Sequence, residues 1–517
     1  MKKLTAILLL ATMMFSATAC GSTPETTSTG TTSSAPDEDK PSVISVDNDY
    51  KVVIPTAATE EEKASAELVV ASLKKIGINL GTVTDTTAPA DKEILIGKTS
   101  REEAKSLLDG LGEGDFKLAT KDAKIILAAI DPDGVTLATG YFIHTYVQGK
   151  SSVTLASALS FSHKKGSVTL NGTPLSDYTL YYAAEGTGSD KNIQAAKYQD
   201  TASVFLDLLE KATGVRLEAA VDSAALASKN NVILFGRASH TDVVKLYNSK
   251  LTKGGIGAYA AQLTAKNNLV LAGTNPCSAL AAGEATVYSL LGENKEITSL
   301  NLSGAKDILR VACVGDSITY GTNSTDPSMQ SYPVYLQRML GYGYYVEKYG
   351  APSHSLIETD TSSFLKHGYF KQSVNTAPDV VIVMLGTNDC RTQKWQDSAY
   401  KDWTKPARKE AFLAAGQKLI DAYREKNADV QIIFTTCPTV PQDAWLGTDW
   451  TQRIMAYGNP AIKEIAEKNN CPVIDIFSYS RKHPEMFEGG DGLHPQNEQY
   501  EILAKGVYDL SKDIIKK

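Results

Sequence analysis

From Asp307 to the C-terminus, unbroken apolar runs alternate with longer stretches in which apolar residues recur every three or four positions. Short apolar runs predict strands buried on both faces, and the longer period predicts amphipathic helices. Strands are expected at 308–314, 344–349, 379–385, 430–436 and 472–477, and helices at 332–340, 407–425, 451–469 and 497–515. This alternation predicts an α/β domain, residues 306–517, whose parallel sheet is covered by helices on both sides. Chemistry in such a sheet belongs to the loops beyond the carboxyl ends of the strands.

The stretch before it repeats itself. Tyr50–Pro55 recurs loosely as Tyr178–Ala183, Lys74–Leu80 as Glu210–Leu217, Glu93–Gly97 as Val232–Gly236 and Lys124–Pro132 as Asn268–Pro276. Each copy reads strand, helix, strand, helix, strand pair, helix, which predicts two small α/β layer domains at 43–148 and 178–305, joined by connecting strands over 149–177. The copies resemble the non-catalytic N-terminal domain found ahead of the barrels of hexosaminidases and α-glucuronidases, a resemblance that implies a polysaccharide context. The bland alternative is that they only space and pack, since a fold shared with glycosidases assigns no binding.

The first 42 residues follow another pattern. Lys2 and Lys3 precede an apolar run, Leu4 to Phe15, that is too short to span a bilayer, and Ala17-Thr18-Ala19 lead into Cys20. This resembles the lipobox of a bacterial lipoprotein, with Ala17 where Leu is usual. The resemblance implies a signal peptide over 1–19, lipidation of Cys20 and attachment to the outer face of a bacterial membrane by lipid alone. Residues 20–42, rich in Ser and Thr and without aromatics, are expected to form a disordered tether.

Composition narrows the function. Of 517 residues 42% are hydrophobic, enough for several cores, and 59 acidic residues outnumber 52 basic ones, an excess that loss of Lys2 and Lys3 widens by two. A nucleic-acid partner calls for a basic face and is not expected. Beyond Cys20 lie Cys277, Cys313, Cys390, Cys437 and Cys471, an odd set without a CxxC pair. No complete disulfide framework follows from that, and buried thiols are expected at Cys313 and Cys437. The seven His residues show no HxH or HExxH spacing, so neither a metal nor a cofactor is expected.

The strand ends carry the chemistry. The first runs into Gly315-Asp316-Ser317, where a tight turn can expose a hydroxyl nucleophile; the second ends at Gly350, with an unencumbered N–H; the third ends in Gly386-Thr387-Asn388-Asp389, with a side-chain amide. After the fifth comes Asp491-Gly492-Leu493-His494, a spacing that lets a carboxylate meet one imidazole nitrogen and leaves the other for the serine. Ser, Gly, Asn and Asp-x-x-His after successive strands resemble the SGNH hydrolases of the GDSL esterase superfamily, which implies a flavodoxin-like three-layer α/β/α fold. It also implies a catalytic triad of Ser317, His494 and Asp491, and an oxyanion hole from the Ser317 and Gly350 N–H groups and the Asn388 side chain. The chain departs from the family in Ala351-Pro352-Ser353-His354-Ser355, where a Val-Ser-Gly-Ala-Thr-like run is common, and in Gln499, where many relatives have Gly.

The substrate is less legible. All four tryptophans, Trp395, Trp403, Trp445 and Trp450, fall in the long loops after the third and fourth strands, so they are candidates for stacking on sugar rings, with a plug into a small core as the even alternative. His354 is a further candidate for substrate contact, though a surface loop explains it as well. Turn hydrogen bonding suffices for Asp316 and Asp389. The expected function is a cell-surface serine esterase that removes O-acyl, chiefly O-acetyl, groups from a polysaccharide. The same site serves lipases, thioesterases and arylesterases, and a non-enzymatic glycan-binding lipoprotein is the alternative of another class.

Overall fold

The computed structural model describes residues 43–185, 193–223, 226, 229–391, 402–440 and 450–515. The expectations for the leader, Cys20 and the tether, and those for Trp395 and Trp445, lie outside the described residues. The chain divides into two compact units, one of residues 43–184 and 198–308, the other of residues 185–197 and 309–517. Among the described residues no helix is long and apolar enough to cross a membrane.

The first unit holds two six-stranded sheets. One is built from β1 (Lys51–Ile54), β2 (Gly81–Thr84), β3 (Glu93–Ile96), β4 (Phe116–Lys121), β5 (Lys124–Ala129) and β6 (Ser160–His163), with α1 (Glu60–Lys74), α2 (Glu102–Leu108) and α3 (Pro132–Phe142) between them. The other is built from β7 (Thr179–Tyr182), β8 (Ala219–Val221), β9 (Val232–Phe235), β10 (Ala258–Leu263), β11 (Leu269–Gly273) and β12 (Asn301–Ala305), with α4 (Tyr198–Thr213), α5 (Thr241–Lys250) and α6 (Pro276–Leu290). The strand orders are β2-β1-β3-β5-β4-β6 and β8-β7-β9-β11-β10-β12, the same topology twice.

The recurring sequence motifs sit at equivalent places for physical reasons. Gly97 and Gly236 follow β3 and β9 at φ +75° and +85°, and a Cβ there would run into Glu62 and Tyr198 respectively. Asp131 and Asn275, each before a proline, cap α3 and α6 by accepting from the Gly134 and Ser278 N–H groups.

Two boundaries differ from expectation. Residues 160–163, assigned above to a connector, are β6, because its backbone pairs antiparallel with β4 and closes the first sheet. Residues 185–197, assigned above to the second copy, belong to the other unit. There Gln194 bridges Glu347, the Ala195 N–H donates to the Val346 carbonyl, and Ile193 and Ala195 enter two different apolar layers.

That second unit has a five-stranded sheet of β13 (Leu309–Gly315), β14 (Tyr344–Gly350), β15 (Val380–Met384), β16 (Gln431–Thr435) and β17 (Val473–Ile474), in the order β14-β13-β15-β16-β17 and parallel throughout. Its helices include α7 (Ser317–Tyr320), α8 (Tyr332–Leu340), α9 (Gly368–Asn375), α10 (Pro406–Lys426), α11 (Asn459–Lys468), α12 (Ile476–Lys482) and α13 (Gln499–Ser511). Alternate residues of each strand face opposite ways. Val311, Cys313, Val380 and Ile382 pack with Leu336 of α8 and Leu503 and Val507 of α13. Ala312, Val314, Val381 and Val383 pack with Val374 of α9, Leu419 of α10 and Ile465 of α11. The result is a three-layer α/β/α domain. Each fully buried Val, Ile or Leu in these layers stabilises it by about 1.5–3 kcal/mol before entropy is counted.

The stretch 472–477 is strand only at Val473–Ile474. Asp475 accepts from the Ser478 N–H and starts α12, turning Ile476 and Phe477 into helix. All five described cysteines are buried, and burial pushes the Cys277 and Cys313 thiols up to about 12.

Candidate active site

The site is assembled where three strands end. β13 delivers Ser317 to the first position of α7, whose cap is Asp316, its carboxylate accepting from the Ile318 N–H at 3.0 Å. The turn is tight because two glycines allow it. A Cβ at Gly315 would overlap the Thr319 hydroxyl, and one at Gly350, the last residue of β14, would overlap the backbone nitrogen of Tyr320. The second strand's end is therefore pressed against the serine's own turn.

His494 lies on the loop before α13. Its Nε2 is 2.8 Å from Ser317 Oγ, and its Nδ1 is 2.6 Å from Asp491 Oδ2. Asp491 Oδ1 accepts from the backbone N–H groups of Leu493 and His494, at 3.0 and 2.8 Å, which explains the three-residue spacing: one carboxylate closes the turn and orients the ring on it. Burial pushes the Asp491 carboxyl up, but the hydrogen bonds from the His494 side chain and backbone outweigh it and bring it down to about 2. A carboxylate ionised at neutral pH has no proton to give, so Nδ1 carries the hydrogen of that contact. Nε2 is left to accept from the serine hydroxyl. Ser317 and His494 are each 9% exposed, enough for a substrate to reach them and little enough to keep the contact from bulk water.

Asn388 follows β15, and its Nδ2 is 3.0 Å from the His354 carbonyl and 3.2 Å from Asp316 Oδ2. Its Oδ1 accepts from Arg391, from Nε at 3.0 Å and from Nη2 at 2.8 Å. Asp389 is turned the other way: its carboxylate accepts from the Leu356 and Ile357 N–H groups and pins the loop after β14 to the loop after β15. Burial pushes the Asp316 carboxyl up to about 6, against the Ile318 N–H and the positive groups nearby.

The structure brings Ser317, His494 and Asp491 into one chain of hydrogen bonds, sets Gly350 against Thr319 and Tyr320 of the serine's turn, and places Asn388 beside Asp316. It does not bring Trp403 and Trp450 to a substrate surface. Their indole N–H groups donate to the backbone carbonyls of Asp389 and Thr387, at 2.8 and 3.0 Å, and their rings are buried in the apolar layer around Phe412 and Ile454. Both are corrected from candidate sugar platforms to core residues, since a ring packed there has no face left for a ligand. His354 is half-buried, its Nδ1 on the Pro352 carbonyl, its ring edge-on to His367, which is edge-on in turn to Tyr369 at the start of α9. Sequence reasoning passed over Arg391, His367 and Tyr369, since none stands in a recognisable spacing.

Residues 313–502 match the model of the GDSL-like Lipase/Acylhydrolase family. The C-terminal domain is a GDSL-like acylhydrolase domain. The chain is similar to an acetylxylan esterase of Xylanibacter ruminicola, 27% identical over 220 residues, which are 39% of this chain and 42% of that protein; the chain thus spans less than half the length of this relative. Among solved structures it aligns with the inhibitor-bound aryl esterase of M. Smegmatis, at 15% identity and a TM-score of 0.32, over 40% of this chain and 100% of that one. It also aligns with a carbohydrate acetylesterase family member from Sinorhizobium meliloti, at 18% identity and a TM-score of 0.30, over 40% of this chain and 99% of that one. The family matched over residues 313–502 is one of carboxylic ester hydrolases.

Proposed function

We propose that the protein hydrolyses O-acyl esters, chiefly O-acetyl groups on a polysaccharide, through Ser317, His494 and Asp491. The observation that carries this reading is the continuous contact Ser317 Oγ, His494 Nε2, His494 Nδ1, Asp491 Oδ2, at 2.8 and 2.6 Å. His494 takes the serine proton as Oγ attacks the ester carbonyl, and Asp491 holds the imidazolium that forms. The carbonyl oxygen, now an oxyanion, is received by the Ser317 and Gly350 N–H groups and by Asn388 Nδ2, whose longer bond to Asp316 is the one it gives up. A single such donor is worth about 3 kcal/mol of barrier. His494 then protonates the departing sugar oxygen, and water, deprotonated by the same imidazole, releases the acid from the acyl-serine.

The acetylxylan esterase relative supports acetate as the acyl group and a polysaccharide such as xylan as its carrier. The leader ending in Cys20 supports a lipid-anchored protein on the outer face of a bacterial membrane, and the tandem N-terminal domains fit a glycan-handling context. The deciding experiment is acetate release from a panel of acetylated polysaccharides by the mature chain, with Ser317→Ala beside it. Release from one glycan, lost in the variant, is expected. Hydrolysis of p-nitrophenyl acetate without release from any glycan would remove the polysaccharide and keep the esterase; turnover untouched by Ser317→Ala would remove the mechanism.

A further inference from the structure

The oxyanion role depends on which way the Asn388 amide faces. A primary amide is nearly symmetric in shape, so only its partners decide whether Nδ2 or Oδ1 points toward the serine. On one side of Asn388 stand two acceptors, the His354 carbonyl and the Asp316 carboxylate; on the other stands a donor with two prongs, Arg391, whose Nε and Nη2 both reach Oδ1. A flipped amide would set oxygen against both acceptors and N–H against a guanidinium. Arg391 is itself fixed at 3.1 Å from the Ser353 carbonyl, and Ser353 has a left-handed backbone at φ +67° within the run where this chain departs from its family. The guanidinium thereby ties the loop after β15, which carries Asn388, to the loop after β14, which begins at Gly350.

We propose that Arg391 is a positioning residue for the oxyanion hole: its grip on Oδ1 locks the Asn388 amide with Nδ2 toward the reacting oxygen and holds the Gly350 and Asn388 loops in register. Resting on the esterase reading above, this role assigns Arg391 no contact with substrate. A cation on Oδ1 also draws electron density from the amide, which makes Nδ2–H a stronger donor to a developing oxyanion than to a neutral ester carbonyl. The effect therefore belongs to the transition state, and Arg391 acts on kcat rather than on KM.

A double-mutant cycle on p-nitrophenyl acetate tests this, with melting temperatures recorded for every variant and Ser317→Ala as the reference for the reaction. Arg391→Ala is expected to lower kcat about ten- to a hundredfold with KM within about twofold, less than a lost donor can cost. Asn388→Ala is expected to lose at least as much, and the variant carrying both changes to fall within about twofold of Asn388→Ala, since Arg391 has nothing left to act on. An unchanged kcat in Arg391→Ala, a loss confined to KM, or losses that multiply in the double variant would each overturn the role, the last two by showing that Arg391 meets substrate itself. If Arg391→Ala does not fold, Arg391→Lys, which keeps the charge without the two prongs, carries the same cycle with an expected loss of about three- to tenfold. Turnover that Ser317→Ala leaves intact would instead overturn the esterase reading, so the two failures are told apart.

Discussion

Asp316 sits between Ser317 and the Asn388 amide, and its charge is costly where it is. The side chain is buried, and that burial outweighs the Ile318 N–H in raising its carboxyl from an ordinary value near 3.8 to about 6. In the unfolded chain it ionises near 3.8, so between that pH and about 6 the folded protein holds a proton that the unfolded chain has released. The stabilisation this proton brings is complete below about 3.8 and lost as pH rises through 6. Two pKa units correspond to about 3 kcal/mol. Asp316→Asn, which keeps an acceptor for Ile318 and carries no charge, is expected to be more stable than the parent above pH 6 by about 1 to 3 kcal/mol and equal to it near pH 4. Urea melts at pH 4, 5, 6 and 7 would check this; a difference that does not grow with pH would refute it. Asp491 has the opposite sign, since its lowered carboxyl stabilises the fold above 3.8 and loses that contribution only as pH falls toward 2.

At the scale of elements, close packing at the end of β14 explains why a glycine stands there. A methyl group at Gly350 would meet the nitrogen and Cα of Tyr320, which are backbone atoms of the turn that carries Ser317, and they cannot swing aside as a flexible side chain would. Gly350→Ala is therefore expected to cost about 1–3 kcal/mol of stability and to displace Ser317, with kcat reduced about a hundredfold. Gly368→Ala, at the start of α9 with nothing near its would-be Cβ, serves as the silent control. Equal behaviour of the two in melting and turnover would show that the contact is not tight.

The strand ends were legible in the sequence because each couples a buried apolar run to a residue type that its turn requires, and α8, α10 and α13 because their apolar periodicity is long. The start of α12 was not, since Val473 to Phe477 is apolar apart from Asp475, and only the capping by that side chain breaks strand from helix. The tryptophans misled for a related reason. Composition places them in loops on the catalytic edge, but whether Trp403 and Trp450 face solvent or core depends on carbonyls, those of Asp389 and Thr387, that no local pattern reveals. Arg391 was invisible because its role is defined by three acceptor contacts on residues 3 to 38 positions away, not by spacing within a motif.

At the scale of the whole molecule, the two units are not consecutive along the chain. The chain leaves the first unit at residue 184, contributes residues 185–197 to the second, returns for residues 198–308, and only then supplies the rest of the acylhydrolase domain. A sequence read for consecutive domains assigns that excursion to its neighbours on either side. Its consequence is physical: β14 is an edge strand, and residues 194 and 195 cover part of that edge by pairing with Glu347 and Val346, while Ile193 and Ala195 add to the apolar layers on the two faces. A fragment of residues 309–517 would expose this backbone, and bare edges invite pairing between molecules. We expect that fragment to melt several degrees below one with residues 185–197 fused ahead of it, and to sediment partly as dimers or larger species. Light scattering and thermal melts on the two fragments would check both points. The fused version should also keep more esterase activity, because β14 ends at Gly350 and slack in this strand reaches the turn that carries Ser317. Fragments equal in melting temperature, association state and turnover would mean that the segment only passes over the sheet and adds nothing to it.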